Sequence, residues 1–167
     1  MRLFFSSFFF LVSIIGFSQK TSRLRIESGS SVYFYFNSWD KIKNGITYDN
    51  WTKLSIYYDD TDIVDGKWEL TALAKTSYIV SETGNHPADD LELATIELVA
   101  TGDNANWYDA LSPLSAIETR LAYGPETSPN TTKVYITYQC GVNATYTLWG
   151  KKTDYYYVDI LLTLRPK

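Results

Sequence analysis

Lys133-Val134-Tyr135-Ile136-Thr137-Tyr138-Gln139-Cys140 decides the fold. Val134, Ile136, Tyr138 and Cys140 share one side of an extended chain, and Lys133, Tyr135, Thr137 and Gln139 the other. Successive side chains of a strand point to opposite faces, and β-branched and aromatic residues suit that pleated surface. The same period of two runs through Tyr156, Val158, Ile160, Leu162 and Leu164, interleaved with Tyr157, Asp159, Leu161 and Thr163. It recurs in Trp51–Tyr58 with Leu54, Ile56 and Tyr58 in phase, and in Lys67–Lys75, which begins with Trp68 and Leu70. Ser31–Asn37 sets Val32, Phe34 and Phe36 against Tyr33 and Tyr35, and Ala144–Leu148 reads as a short partner strand. In Leu91–Ala100 the residues Ile96, Leu98 and Ala100 are in phase while Leu91 and Leu93 are not, which predicts a bulge or bend.

Turn signals separate these runs. Asp65-Gly66 lies between two extended tetrapeptides and is the strongest hairpin signal. Asn44-Gly45, Thr83-Gly84-Asn85, Thr101-Gly102-Asp103-Asn104 and Ser128-Pro129-Asn130 mark further loops. The expectation is one all-β domain over 19–167, an immunoglobulin-like antiparallel β-sandwich of about seven to nine strands. Ser112 as cap, Pro113 at the first helical position, Gly124 as stop and the stripe Leu114, Ile117, Leu121 fit a short helix over 113–123; irregular structure fits that stretch equally well.

Residues 1–18 predict export. Arg2 forms a charged start, Leu3–Phe17 is apolar apart from Ser6, Ser7, Ser13 and Gly16, and small residues (Gly16, Ser18) precede a cleavage point before Gln19. No cysteine follows that point, so a lipoprotein anchor is not expected, and no later run is long enough for a transmembrane helix. The expected location is the periplasm, the cell surface or the extracellular space. Fifteen Lys+Arg stand against nineteen Asp+Glu, a net charge of −4, and removal of Arg2 makes the remainder more acidic. Nucleic acid is therefore not an expected partner, because phosphate neutralisation needs clustered cations. Loss of 1–18 also removes all phenylalanines but Phe34 and Phe36, leaving aromatic content in tyrosine and tryptophan. Those residues suit strand faces that are half wet, and binding surfaces.

Residues with chemical potential are few, and no cofactor is implied. Cys140 is the only cysteine; it reads as a small buried residue mid-strand, with an intermolecular disulfide or reactive thiol as the alternative. Asp59, Asp60, Asp62 and Asp65 beside Gly66 are weak candidates for a calcium loop. Val64 stands where a ligand is needed and no Glu occupies the twelfth position, so an acidic, solvated strand end is the plainer reading. His86 is the only histidine and reads as a loop residue. Asp89, Asp90, Glu92 and Glu97 are available for a carboxylate pair of the glycosidase kind, with no other catalytic signature beside them. Trp39, in Asn37-Ser38-Trp39-Asp40, and Trp107-Tyr108, after Asp103-Asn104-Ala105-Asn106, are aromatic residues in polar loops and candidate contacts for a sugar or a protein partner.

Val134–Tyr138, then Leu148-Trp149-Gly150, then Asp154–Leu164 resemble the closing hairpin of spore-coat-U-like and chaperone–usher pilin domains. Lys67-Trp68-Glu69-Leu70-Thr71 is similarly placed to their central strand, and the junction before Gln19 is similar to that of secreted Bacteroidetes proteins. The cysteine pair of many such domains is missing here. The resemblance implies an immunoglobulin-like, fimbrial-type subunit, sometimes completed by a neighbour's strand. Leu24 and Ile26 alternate as such a donor strand does, and equally as the first strand of a complete domain. The leading expectation is an exported, non-enzymatic structural or adhesion subunit, with protein partners or self-assembly at the cell surface. A carbohydrate-binding module using the loop aromatics is the alternative, and a small jelly-roll hydrolase the third.

Overall fold

Strand β10 (Thr132–Cys140) lies at the centre of the larger sheet, and its alternation is its environment: Val134, Ile136, Tyr138 and Cys140 are buried. The structure is a computed structural model that describes residues 21–60, 67–84 and 90–167. In chain order the elements are β1 (Thr21–Ser28), α1 (Trp39–Asn44), β2 (Ile46–Asp59), β3 (Lys67–Ala74), β4 (Tyr78–Ser81), β5 (Leu91–Glu92) and β6 (Ile96–Gly102). They continue with β7 (Trp107–Tyr108), β8 (Ser112–Pro113), β9 (Thr119–Pro125), β10, β11 (Tyr156–Tyr157) and β12 (Ile160–Pro166). A five-stranded sheet in the order β1-β2-β10-β6-β8 and a four-stranded sheet in the order β12-β3-β9-β7 form the two layers, and β11-β4-β5 is a small third sheet.

Every pairing is antiparallel. The fold is thus the expected antiparallel sandwich, with twelve strands among the described residues rather than seven to nine. Its strand order is nested: β2 pairs β10, β3 pairs β9 and β6 pairs β8, as when a long hairpin rolls into two sheets. That is the jelly-roll arrangement, here with β1 and β12 added as edge strands.

The core lies between the layers. Leu54 and Ile56 of β2 and Val134 and Ile136 of β10 are fully buried opposite Trp68 and Leu70 of β3 and Ala122 of β9. Trp68 is the largest fully buried side chain. Its indole lies against Gly124, where an added Cβ would come within 2.6 Å of Cζ2. Glycine is therefore the residue that lets β9 pass the indole. The helix α1 is a single capped turn at the far end of β10: Ser38 accepts from Lys41 N and Gly45 ends it at φ 73°. A Cβ on Gly45 would meet the Cys140 carbonyl oxygen at 2.7 Å, so chain passage there also requires glycine.

Several sequence expectations are corrected. Residues 113–123 are not helical: Pro113 pairs Glu97 at a sheet edge, where its missing N–H costs nothing, and Thr119–Pro125 lies between β3 and β7. The stripe fails because Leu114 and Leu121 enter the core while Ile117 is 78% exposed. Ser31–Asn37 keeps its alternation of burial but joins no ladder. Side chains of β2 hold it instead, with Trp51 Nε1 donating to the Ser31 carbonyl at 2.8 Å and Tyr48 to that of Tyr33 at 3.1 Å. Ala144–Leu148 is turn, because the Asn143 side chain accepts from Thr145 N and its carbonyl from Tyr146 N. The run at Leu91–Ala100 is broken by a 3₁₀ turn at Leu93–Thr95, the expected irregularity. Tyr156–Leu164 is split, since β11 pairs β4 while β12 pairs β3. The Asp65-Gly66 turn lies outside the described residues.

Trp68→Ala is expected to destabilise the domain by about 3–5 kcal/mol through the cavity it leaves. Gly124→Ala shifts stability in the same direction by driving a methyl into the indole. Denaturant midpoints of the two variants against the parent check both.

Candidate functional site

Trp107 is positioned by strand pairing. It opposes Tyr123 across the β7–β9 ladder, and the two rings stack at 5.1 Å between centroids with 12° between planes. Strand β7 is the edge of its sheet, so β9 covers one face of the indole and the other looks outward; Trp107 is 49% exposed. Tyr123 is held in turn by cations, with Lys167 Nζ 3.6 Å and Arg120 Cζ 4.6 Å from its ring centre. Arg120 is itself fixed by two hydrogen bonds to Asp109, at 2.7 and 3.0 Å, which hold that carboxyl below its usual range.

The loop before Trp107 is locked to the start of β10. Asp103 accepts from Thr132 Oγ1 at 2.9 Å and from Lys133 N at 2.8 Å. Asn106, nearly buried, donates to Thr132 Oγ1 at 2.6 Å and to Tyr108 Oη at 3.2 Å. Tyr108 also donates to the Asp103 carbonyl at 3.1 Å. It is thus a strut of the loop, while its neighbour Trp107 faces solvent. Beside this loop lies an open cleft of about 200 Å³ whose walls include Asp103, Asn106, Pro125, Glu126, Thr127 and Thr131. Burial raises the Glu126 carboxyl, and Asp59 beside it raises it further.

Trp39 belongs to a different place. It meets Trp149 edge to face at 4.1 Å, and both indoles are more than half exposed. Trp149 stood out in the sequence only within Leu148-Trp149-Gly150, part of the resemblance to a closing hairpin. Asn106 binds Thr132 at one end of β10, and α1 leads into Gly45 against Cys140 at the other. Eight strand steps separate them, roughly 26 Å. Trp39 and Trp107 therefore do not contact one small ligand together. The loop that carries Trp149 is pinned by Asp154, which accepts from the hydroxyls of Ser81 and Thr83, from Thr83 N at 3.0 Å and from Tyr155 N at 2.8 Å. The Ser81 hydroxyl, then that of Thr83, holds this carboxyl well below the usual range.

The remaining candidates are held in structural contacts where they are described. Asp59 accepts from Tyr57 Oη at 3.1 Å and Asp60 from Tyr58 Oη at 3.0 Å. The neighbouring carboxylates thus engage tyrosines on opposite faces of β2. Burial, then Asp60, pushes the Tyr58 hydroxyl up to about 12. Asp62, Asp65, His86 and Asp89 lie outside the described residues. Among the described residues no three His, Cys, Asp or Glu side chains converge as metal ligands. Asp90 accepts from Ser81 N at 2.9 Å and Glu97 from Asn143 Nδ2 at 3.2 Å, while Glu92 opposes Tyr78 in the small sheet. Two carboxylates missed in the sequence, Glu69 and Glu118, are brought together on Arg165, which donates to them at 2.5 and 2.7 Å. Burial pushes the Cys140 thiol up to about 12, so it stays protonated at neutral pH. Leu24 and Ile26 lie in β1, the first strand among the described residues, and pair within the same chain with Ile56 and Leu54.

No protein-family model matches the sequence, and no curated protein matches it.

Asp154 makes stability depend on acid. Its folded-state pKa is depressed, so its contribution is present above the unfolded value, about 3.9, and is lost as pH falls below that toward the folded value. Asp154→Asn is expected to lower the melting temperature at pH 7, with the gap to the parent starting to close below about pH 4 and still narrowing as pH falls to about 2. Thermal melts across that range check the convergence.

Proposed function

We propose that this chain is an exported, non-catalytic adhesion module that binds carbohydrate at Trp107 and the cleft beside it. The observation that carries the reading is the exposed indole of Trp107, backed by Tyr123 and following directly on a loop whose Asp103, Ala105 and Asn106 line a cleft. The C–H face of a pyranose packs on an indole, and the hydroxyls around its rim need both donors and acceptors. The Asp103 and Glu126 carboxylates in the cleft wall are acceptors, and the Thr131 hydroxyl can both donate and accept. Because the stack and the loop bonds already hold the indole, little side-chain freedom is lost on binding. No cofactor enters this reading. Export rests on the N-terminal pattern of residues 1–18.

A second reading is favoured by the opposite edge of the sandwich. Strands β1 and β12 are edges of the two layers, Ile26 is 46% exposed, and Ile160, Leu162 and Leu164 are only half-buried. A self-assembling, fimbrial-type subunit would close that seam with a strand from a neighbour. Size-exclusion chromatography and electron microscopy of the protein from its own host check it: filaments or ladders are expected under this reading, and a strict monomer removes it.

Glycan-array and calorimetric titration test the first reading. Trp107→Ala is expected to weaken sugar binding roughly tenfold or more, the cost of losing a central aromatic contact. Trp39→Ala is expected to leave binding unchanged. Unaltered binding by a folded Trp107→Ala variant overturns the proposal.

A further inference from the structure

Two arginines stand side by side on the outer surface of β1. Arg23 opposes Tyr57 and Arg25 opposes Ser55 across the β1–β2 ladder. Two residues apart on one strand, they share a face at a spacing of about 7 Å. With Ser55, Tyr57 and Thr131 they line a cleft of about 140 Å³. Neither arginine has an ion pair or side-chain hydrogen bond among the described residues. The neighbouring cations differ in this respect: Lys53 and Lys133 both engage Glu27, whose carboxyl Lys133 holds below its usual value. Asp59, the other carboxylate on this part of β2, is occupied by Tyr57 Oη at 3.1 Å and Ser128 Oγ at 3.2 Å.

In a chain of net charge −4, an uncompensated arginine pair in a hydroxyl-lined hollow marks a site for an anion. Guanidinium forks match the oxygens of a sulfate or carboxylate, and the Ser55 and Thr131 hydroxyls add two further donors, while the Tyr57 hydroxyl donates to Asp59 and forms only wall. Charge on an edge strand also discourages other strands from adding to the sheet, but that role requires neither a hollow nor hydroxyls. The position links this cleft to the one beside Trp107: Thr131 forms part of the wall of both.

We propose that Arg23, Arg25, Ser55, Tyr57 and Thr131 form an oxyanion subsite for a sulfated or carboxylated sugar unit of an acidic polysaccharide. The inference rests on the carbohydrate reading above and names the class of glycan. A glycan that stacks one unit on Trp107 crosses the first cleft and presents its charged group to the arginines. The concave, hydroxyl-lined shape favours a discrete charged substituent over a flat lipid surface.

Calorimetry with the full exported protein, using dextran sulfate and uncharged dextran of equal length as probes, tests it. The parent is expected to bind dextran sulfate at least tenfold more tightly than dextran. Arg23→Gln with Arg25→Gln is expected to remove that preference. The same change of charge at Lys41 and Lys43 is expected to keep it. Equal binding of both probes by the parent, or an unchanged preference in the arginine variant, overturns the subsite. Loss of preference in the lysine variant as well reduces it to general attraction and overturns it too. Binding to vesicles of anionic phospholipid in place of dextran sulfate overturns the glycan assignment. If the arginine variant loses dextran sulfate binding while Trp107→Ala changes neither probe, the anion subsite stands and the Trp107 reading fails.

Discussion

The ladder between β2 and β10 is the constraint on which the rest of this structure depends. It joins Ile56 to Thr132 and Ile46 to Cys140, segments far apart in the chain, and it carries β1 on one side and β6 on the other. Closing so long a loop is entropically costly before any contact rewards it. The reward is the row of fully buried side chains, Leu54, Ile56, Val134 and Ile136, that the ladder turns toward Trp68. At roughly 25 cal/mol per Å² of apolar surface, such burial is the main term holding two sheets together. Two extra residues of β2 bulge between Thr52 and Tyr48, where Asn50 takes φ 51° and donates its N–H to Thr137. Beyond that bulge Tyr48 and Ile46 are half-buried opposite Tyr138 and Cys140.

The Trp107 site is a consequence of where this ladder ends. Thr132 and Lys133, at the start of β10, anchor the Asp103–Asn106 loop, and that loop sets Trp107 on the edge of the opposite sheet. Gly124 lets β9 lie against Trp68, and its neighbour Tyr123 then backs Trp107. Core and site thus share one segment, Tyr123-Gly124, with one residue facing each way. The same strand end carries Thr131, which the arginine cleft on the first sheet shares. The half of the molecule around Trp39 and Trp149 is organised independently, through Gly45 at one contact and Asp154 at the other.

Much of the fold was legible because a half-buried strand writes its environment in period two. Lys133–Cys140, Trp51–Tyr58 and Lys67–Ala74 are strands for that reason, and Trp68 is core as its phase requires. The period reports burial, however, and not hydrogen bonding. Ser31–Asn37 alternates fully yet has no ladder, because the tyrosine and tryptophan side chains of β2 take up its carbonyls. At 113–123 a cap residue, a proline and a weak apolar stripe suggested a helix, and pairing with β3 and β6 overrode a preference worth tenths of a kcal/mol per residue. Of the aromatic candidates, Trp107 and Trp39 were visible as indoles among polar residues. Tyr123, Trp149, Arg23 and Arg25 were not, since their roles come from neighbours distant in sequence.

By itself, the sequence determined the class: alternating β-branched and aromatic runs, broken by glycine, asparagine and proline, admit little but an antiparallel sandwich. It also determined the acidic charge and the strand setting of the single cysteine, whose burial the structure supplies. Only the tertiary structure decided the nested strand order, the pairing of Trp107 with Tyr123, the separation of Trp39 from Trp107 and the lack of an ion pair at Arg23 and Arg25 among the described residues. Side-chain periodicity is a local property that each strand carries in its own residues. Which strand lies beside which is settled by loop closure and core packing across the whole chain, and a binding surface is assembled from those neighbours.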